Sequence, residues 1–133
     1  MPVGTEWIID AFACDAAKLR DERALRAVFS SVVADLQLRV IREVWHQFPA
    51  EYGVTGLALL AESHLACHTY PEYQTATFNL YCCRTRPEWN WQENLEKLLG
   101  AQFVKIQKIE RGGKDAQSKI QNRKSKIASG GDA

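Results

Sequence analysis

Reactive side chains are concentrated in one stretch, Ala61-Glu62-Ser63-His64-Leu65-Ala66-Cys67-His68-Thr69-Tyr70-Pro71-Glu72-Tyr73. It holds a serine hydroxyl, two imidazoles, a thiol and two carboxylates, and an adjacent pair, Cys82-Cys83, follows shortly after. These types admit three chemistries. In the first, Ser63 is the nucleophile of a hydrolase with His64 or His68 as base, which requires a carboxylate orienter and an oxyanion hole. The chain has no G-x-S-x-G elbow to supply them. In the second, His64, Cys67 and His68 bind zinc together with Cys82 or Cys83. Their His-x-x-Cys-His spacing matches no common structural zinc arrangement, and we expect no metal.

The third chemistry uses the Glu62–Ser63 peptide itself. A hydroxyl that attacks its own preceding carbonyl turns the amide into an ester, and β-elimination then breaks the chain. The dehydroalanine left behind hydrolyses to a pyruvoyl cap, whose ketone forms a Schiff base with a substrate amine and withdraws electrons during decarboxylation. This route needs a serine in a bent, crowded backbone, a proton-transfer residue and a proton donor to the product carbon. Ser63, His68 and Cys83 have the required functional groups. Residue types alone leave all three options open.

The surrounding elements must position these groups. Trp7 to Cys14 reads as a strand. Asp21 is a candidate N-cap for a helix to Leu36, with Leu25, Val28, Phe29, Val32, Val33 and Leu36 at three- and four-residue steps. Leu38 to Phe48 and Val54 to Ala61 read as strands separated by turn residues 49–53. If Val54–Ala61 pairs with the run from Thr75 to Tyr81, the polar cluster between them lies at one edge of the sheet. Ala76, Phe78 and Leu80 then share a face. Pro87 to Trp91 opens a second helix with Trp91, Leu95, Leu98 and Leu99 as its stripe and Gly100 as C-cap. Phe103 to Ile109 closes the sheet. The expected fold is α+β, a two-layer sandwich of a mostly antiparallel sheet with two amphipathic helices on one face.

The chain of 133 residues suits one domain. Its 46% hydrophobic and 25% charged content is that of an ordinary globular protein. A formal net charge of +1 exerts no global pull toward nucleic acid or an anionic membrane. No apolar run spans a bilayer and no signal peptide is evident, so the cytoplasm is the expected compartment. There thiols stay reduced, and Cys14, Cys67 and Cys82 are expected to be buried packing residues. Adjacent Cys82 and Cys83 should point to opposite faces. Residues 1–112 form the expected domain, and the basic, Gly- and Ser-containing 113–133 a flexible tail.

The central residues resemble the prokaryotic S-adenosylmethionine decarboxylases. The resemblance rests on Ala61-Glu62-Ser63-His64-Leu65 and His68-Thr69-x-Pro71-Glu72-Tyr73. Gly53-Val54-Thr55-Gly56, His46-Gln47-Phe48, the cysteine at 83 and Ile109-Glu110-Arg111-Gly112 add to it. It implies self-cleavage between Glu62 and Ser63, giving a β chain of 1–62 and an α chain of 63–133 that begins with the pyruvoyl group. It further implies that His68 assists elimination, that Thr55 supports processing, and that Cys83 protonates the decarboxylated carbon. Glu72 would hold the substrate ribose, with Phe48 and Tyr70 beside the adenine. A homodimer of processed protomers, with sites near the subunit boundary, would supply aminopropyl groups for polyamine synthesis.

Some positions differ from the family's usual residues: Tyr70 for tryptophan, Gln74 for glycine, Thr75 for an aromatic, Asn79 for aspartate and Arg84 for glycine. Glu6-Trp7 also stands where a histidine and an aliphatic are frequent. They motivate a second expectation, a pyruvoyl-dependent arginine or ornithine decarboxylase. A third is a non-cleaving, non-catalytic dimerisation partner.

Overall fold

A computed structural model describes residues 2–113 and 119–123. The chain runs β1 (Gly4–Phe12), α1 (Ala16–Leu19), α2 (Glu22–Asp35), β2 (Val40–Gln47), β3 (Val54–Leu60), β4 (Ser63–Tyr70), a 3₁₀ turn (Pro71–Tyr73), β5 (Thr75–Cys82), α3 (Trp91–Leu99) and β6 (Phe103–Arg111). The six strands form one sheet in the order β2-β3-β4-β5-β1-β6, and every neighbouring pair is antiparallel. The helices cover one face, so the expected α+β two-layer sandwich is the fold. No helix among the described residues is long and apolar enough to cross a membrane. The expected tail falls mostly outside the described residues; 119–123 form a short exposed helical segment.

Both long helices begin where side chains satisfy free backbone N–H groups. Asp21 Oδ1 accepts from the Arg23 N–H at 3.0 Å, and Asn90 Oδ1 from the Glu93 N–H at 3.0 Å. Gly100 ends α3 with φ +71°, the left-handed C-cap that glycine adopts without a Cβ penalty. Leu25, Val28, Phe29 and Val32 of α2 are buried with Trp91, Leu95 and Leu99 of α3. They meet Trp7, Ile9, Ala58, Leu65, Phe78 and Leu80 from alternate positions of the strands. Trp89 Nε1 donates to Asp35 Oδ2 at 2.8 Å, tying the end of α2 to the loop before α3.

Two expectations are corrected. Val54–Leu60 and Thr75–Cys82 do not pair with each other, and the polar stretch is not at a sheet edge. Ser63 to Tyr70 is itself a strand, inserted between them near the centre of the sheet. Its Leu65, Cys67 and Thr69 are buried under the helices while Tyr70 and His68 are exposed, the period-two alternation of a half-covered strand. The four-residue α1, capped by Asp15 on the Ala17 N–H at 3.0 Å, was also not expected.

Thr69 is the buried polar residue of this core. Its hydroxyl donates to the Leu19 carbonyl at 2.7 Å and accepts from the Val54 N–H at 2.8 Å. That arrangement needs close approach at Gly53, where a Cβ would collide with the Thr69 carbonyl and hydroxyl. Gly53→Ala should therefore destabilise the fold by about 1–3 kcal/mol. A thermal melt should show the midpoint falling by at least ~3 °C; an unchanged midpoint would refute the packing account.

Candidate active site

The β3–β4 hairpin turns through Ala61 and Glu62, and Leu60 pairs with Ser63 across it. Neither turn residue takes a positive φ, whereas tight two-residue hairpins ordinarily use left-handed residues. The hairpin end is held instead by its neighbours: the Ala61 N–H donates to the Arg39 carbonyl at 2.9 Å. The Cys83 N–H donates to the Glu62 carbonyl, also at 2.9 Å. The Glu62–Ser63 peptide thus leaves a turn fixed from both sides, without left-handed residues.

The second of these bonds has chemical meaning. The Glu62 carbonyl is the one a Ser63 hydroxyl would attack, and its oxygen already accepts from a fixed backbone N–H. A preorganised donor of this kind stabilises the oxyanion that forms on attack, an effect worth on the order of 10²–10³ in rate. Opposite Ser63 in the register stands Cys82. Burial pushes the Cys82 thiol up, against smaller opposing effects from Arg86 and Ser63.

The other predicted groups gather at the far end of the same strand. Thr55 Oγ1 and His68 Nδ1 are hydrogen-bonded at 3.1 Å between paired positions of β3 and β4. Tyr70 ends β4, 40% exposed, and Glu72 lies in the 3₁₀ turn that follows. Glu72 lines a shallow cavity of about 250 Å³ with Ala50, Glu51 and Tyr52. Phe48 is edge-on to His46, with ring centroids 4.4 Å apart. Strands advance about 3.3 Å per residue, which puts Ser63 on the order of 16 Å from His68 along β4. The two also face opposite sides of the sheet: Ser63 shares the helix-covered face with Leu65 and Cys67, and His68 the open face. No bend in β4 returns His68 to Ser63 within one chain, so His68 is not placed as the base of the serine-hydrolase option. The same alternation separates Cys67 from His64 and His68, so these three cannot ligate one metal ion.

Sequence reasoning missed two further features. On the open face, His64 Nε2 is hydrogen-bonded to Asn79 Oδ1 at 3.0 Å, and Asn79 Nδ2 donates to Glu6 Oε2 at 2.6 Å. Arg111 Nη1 donates to Glu6 Oε1 at 2.7 Å, and the His64 ring stacks on Tyr81. The Asn79 and Arg111 hydrogen bonds hold the Glu6 carboxyl below its ordinary value. The second feature is arginine-rich: Arg39, Arg84 and Arg86 line the cavity beside Glu62 and Ser63. The only hint in the sequence was Arg84-Thr85-Arg86 directly after Cys83.

The four thiols divide by environment. Cys14, Cys67 and Cys82 are buried, and Cys83, one residue past the end of β5, is exposed. Burial pushes the Cys14 thiol up to about 11 and the Cys67 thiol up to about 12. Iodoacetamide at pH 8 should therefore label Cys83 at least tenfold faster than the other three in the folded protein. Peptide mass spectrometry reads the ratio, and equal labelling would contradict the placement.

Comparison with known proteins points to one group. The family profile described as S-adenosylmethionine decarboxylase matches residues 5–112. The S-adenosylmethionine decarboxylase proenzyme of Prochlorococcus marinus (strain MIT 9313) is 38% identical over 111 residues, covering 82% of this chain and 87% of the relative. The proenzyme of the same description from Picrophilus torridus is 33% identical over 111 residues, covering 83% and 85%. The crystal structure of the adenosylmethionine decarboxylase from Aquifex aeolicus superposes with a TM-score of 0.71 at 26% identity, covering 85% of this chain and 93% of that one.

Proposed function

The chain belongs to the S-adenosylmethionine decarboxylase family and is a decarboxylase of S-adenosylmethionine; we propose that it makes its own pyruvoyl group at Ser63 and completes its active site with a second copy of itself. The observation that carries the first part is the Cys83 N–H donated to the Glu62 carbonyl, directly before Ser63. Attack by the Ser63 hydroxyl places negative charge on that oxygen, where the donor already stands. Collapse moves the acyl group from nitrogen to oxygen. Elimination then removes the Ser63 Cα proton, breaks the Cβ–O bond and releases Glu62 as a carboxylate. The remaining dehydroalanine takes up water and loses ammonia to leave the pyruvoyl group. That group supplies an electron sink for the carbanion left when CO2 departs. Cys83, exposed beside the cleavage point, is the proton donor to that carbon. Decarboxylated substrate then serves as the aminopropyl donor for polyamine synthesis in the cytoplasm.

The second part follows from the split between the two ends of β4. The open face of the sheet carries exposed Val44, Leu57 and Leu59, an apolar patch of the kind that marks an interface. Face-to-face packing about a two-fold axis near Ala66, midway along β4, lays the His68 end of one copy over the Ser63 end of the other. His68, Thr55, Tyr70, Glu72 and Phe48 of one protomer then serve the cleavage point of its partner. In that arrangement His68 moves the elimination proton, Glu72 holds the ribose hydroxyls, and Phe48 and Tyr70 border the adenine.

Intact mass spectrometry tests the processing. Wild-type chain should appear as two fragments, Ser63→Ala as one whole chain, and Cys83→Ala as at least partly cleaved protein with turnover reduced at least ~100-fold. An uncut wild type under all conditions removes the proposal. Trapping CO2 from labelled S-adenosylmethionine, arginine and ornithine in parallel checks the substrate, and only the first should release it. Shared sites have their own test: Ser63→Ala and His68→Ala chains, each uncut or slow alone, should yield cleaved His68→Ala chain when co-expressed. Failure of that rescue, with dimers present, would place the site within one protomer.

A further inference from the structure

The hairpin end holds more positive charge than the chemistry above uses. A cavity of about 220 Å³ opens beside the Glu62–Ser63 peptide, lined by Ala61, Glu62 and Ser63 and by Arg39, Arg84 and Arg86. Arg84 Nε pairs with the Glu62 side-chain carboxylate. Arg39 is kept at the hairpin by its carbonyl, which accepts the Ala61 N–H. Arg86 Nε is enclosed and has no hydrogen-bond partner among the described residues. Three arginines therefore line a cavity whose lining includes one carboxylate residue, Glu62. The Arg84–Glu62 pair is itself largely solvent-exposed, with the arginine side chain 70% accessible, and contributes little to stability in the uncut chain. Electrostatically the cavity is built for a second anion.

Resting on the self-cleavage reading, the geometry points to the occupant: we propose that Arg39, Arg84 and Arg86 receive the α-carboxylate that Glu62 acquires when the chain breaks. That carboxylate is the leaving group of the elimination. As the Cβ–O bond of the ester breaks, the electron pair departs onto the Glu62 carboxyl, while the Ser63 Cα proton goes to the base. Guanidinium groups positioned where this charge develops lower the barrier to departure. Arginine matches a carboxylate with two parallel N–H donors, which a lysine cannot reproduce. After the break the same contacts tether the new C-terminus of the 1–62 chain beside the pyruvoyl end. The arginines act on the leaving carboxylate without touching the decarboxylation substrate.

The test uses the full chain with Arg84→Gln, Arg39→Gln/Arg84→Gln and Arg84→Lys, each checked for a wild-type thermal midpoint. Cleavage is followed by intact mass, with and without neutral hydroxylamine, which cuts an ester and leaves a hydroxamate on Glu62. Arg84→Gln should break several-fold more slowly and the double variant at least tenfold more slowly. Both should accumulate an uncut, hydroxylamine-sensitive ester, and once cut should release the 1–62 chain at lower urea. Arg84→Lys should fall between Arg84→Gln and wild type. Wild-type cleavage rates and fragment retention in the double variant would overturn the proposal while leaving self-processing intact. A rise in KM for S-adenosylmethionine with unchanged cleavage would also overturn it, by assigning the cavity to the substrate carboxylate. A wild-type chain that never breaks removes the self-cleavage reading, and this inference with it.

Discussion

Pleating governs this molecule: Ser63 and His68 stand an odd number of positions apart on a single continuous strand, so the two side chains must face opposite sides of the sheet. No rotamer change repairs that. A one-residue slip of β4 would swap the faces of both residues without uniting them, and it would expel Leu65, Cys67 and Thr69 from the core and bury the polar set in their place. Buried Thr69, with hydroxyl contacts to both Leu19 and Val54, fixes the register against such a slip. The stability of the covered face therefore keeps Ser63 and His68 on opposite sides of the sheet within one copy.

That constraint gives the two faces different work. The covered face is filled by Trp7, Ile9, Leu65, Phe78 and Leu80 under α2 and α3 and makes the sheet rigid. The open face presents polar groups in register across four strands, from His64 through Asn79 and Glu6 to Arg111. Because each member sits on a different strand of the same antiparallel sheet, its position is set by backbone hydrogen bonds rather than by a loop. Both ends of β4 inherit that rigidity. At one end it fixes a backbone donor on the Glu62 carbonyl, and at the other it holds Thr55 against His68.

Much of this was legible in the chain. The apolar steps of α2 and α3, the Asp21 cap, the Gly100 terminus and the shared face of Ala76, Phe78 and Leu80 all follow from local periodicity and capping. Strand β4 was misread although its alternation is plain: Leu65, Cys67 and Thr69 are the covered positions. Small and polar residues on both sides of that alternation lower its apolar contrast, and Pro71 suggested a loop. The short α1 rests on a single cap, too little to register in a window-based pattern. The candidate residues were identified individually by type and by resemblance, but not their separation, because spacing along a strand reveals a face only once the strand is recognised. The Cys83 amide had no signal at all, since any residue there has an N–H. The three arginines come from β2's approach and the loop after β5, which only the tertiary fold brings together.

Two of the positions that differ from the family's usual residues, Gln74 and Asn79, have a structural account. Gln74 takes φ +50°, the left-handed region where glycine is at ease. It is held there by its own amide donating to the Cys14 carbonyl at 3.2 Å and by the Cys14 N–H donating to its carbonyl at 2.9 Å. Asn79 is neutral where aspartate is frequent, but the negative charge is not lost. It stands one strand over on Glu6, bonded to Asn79 and balanced by Arg111. With Asn79 Oδ1 accepting, His64 presents its Nε2 hydrogen, so the network stays satisfied from β4 to β6. The Asn79 exchange is compensated within the open face itself, and Gln74 by its two bonds to Cys14. They adjust how the sheet is held together and give no reason to assign the chemistry to a different amino-acid substrate.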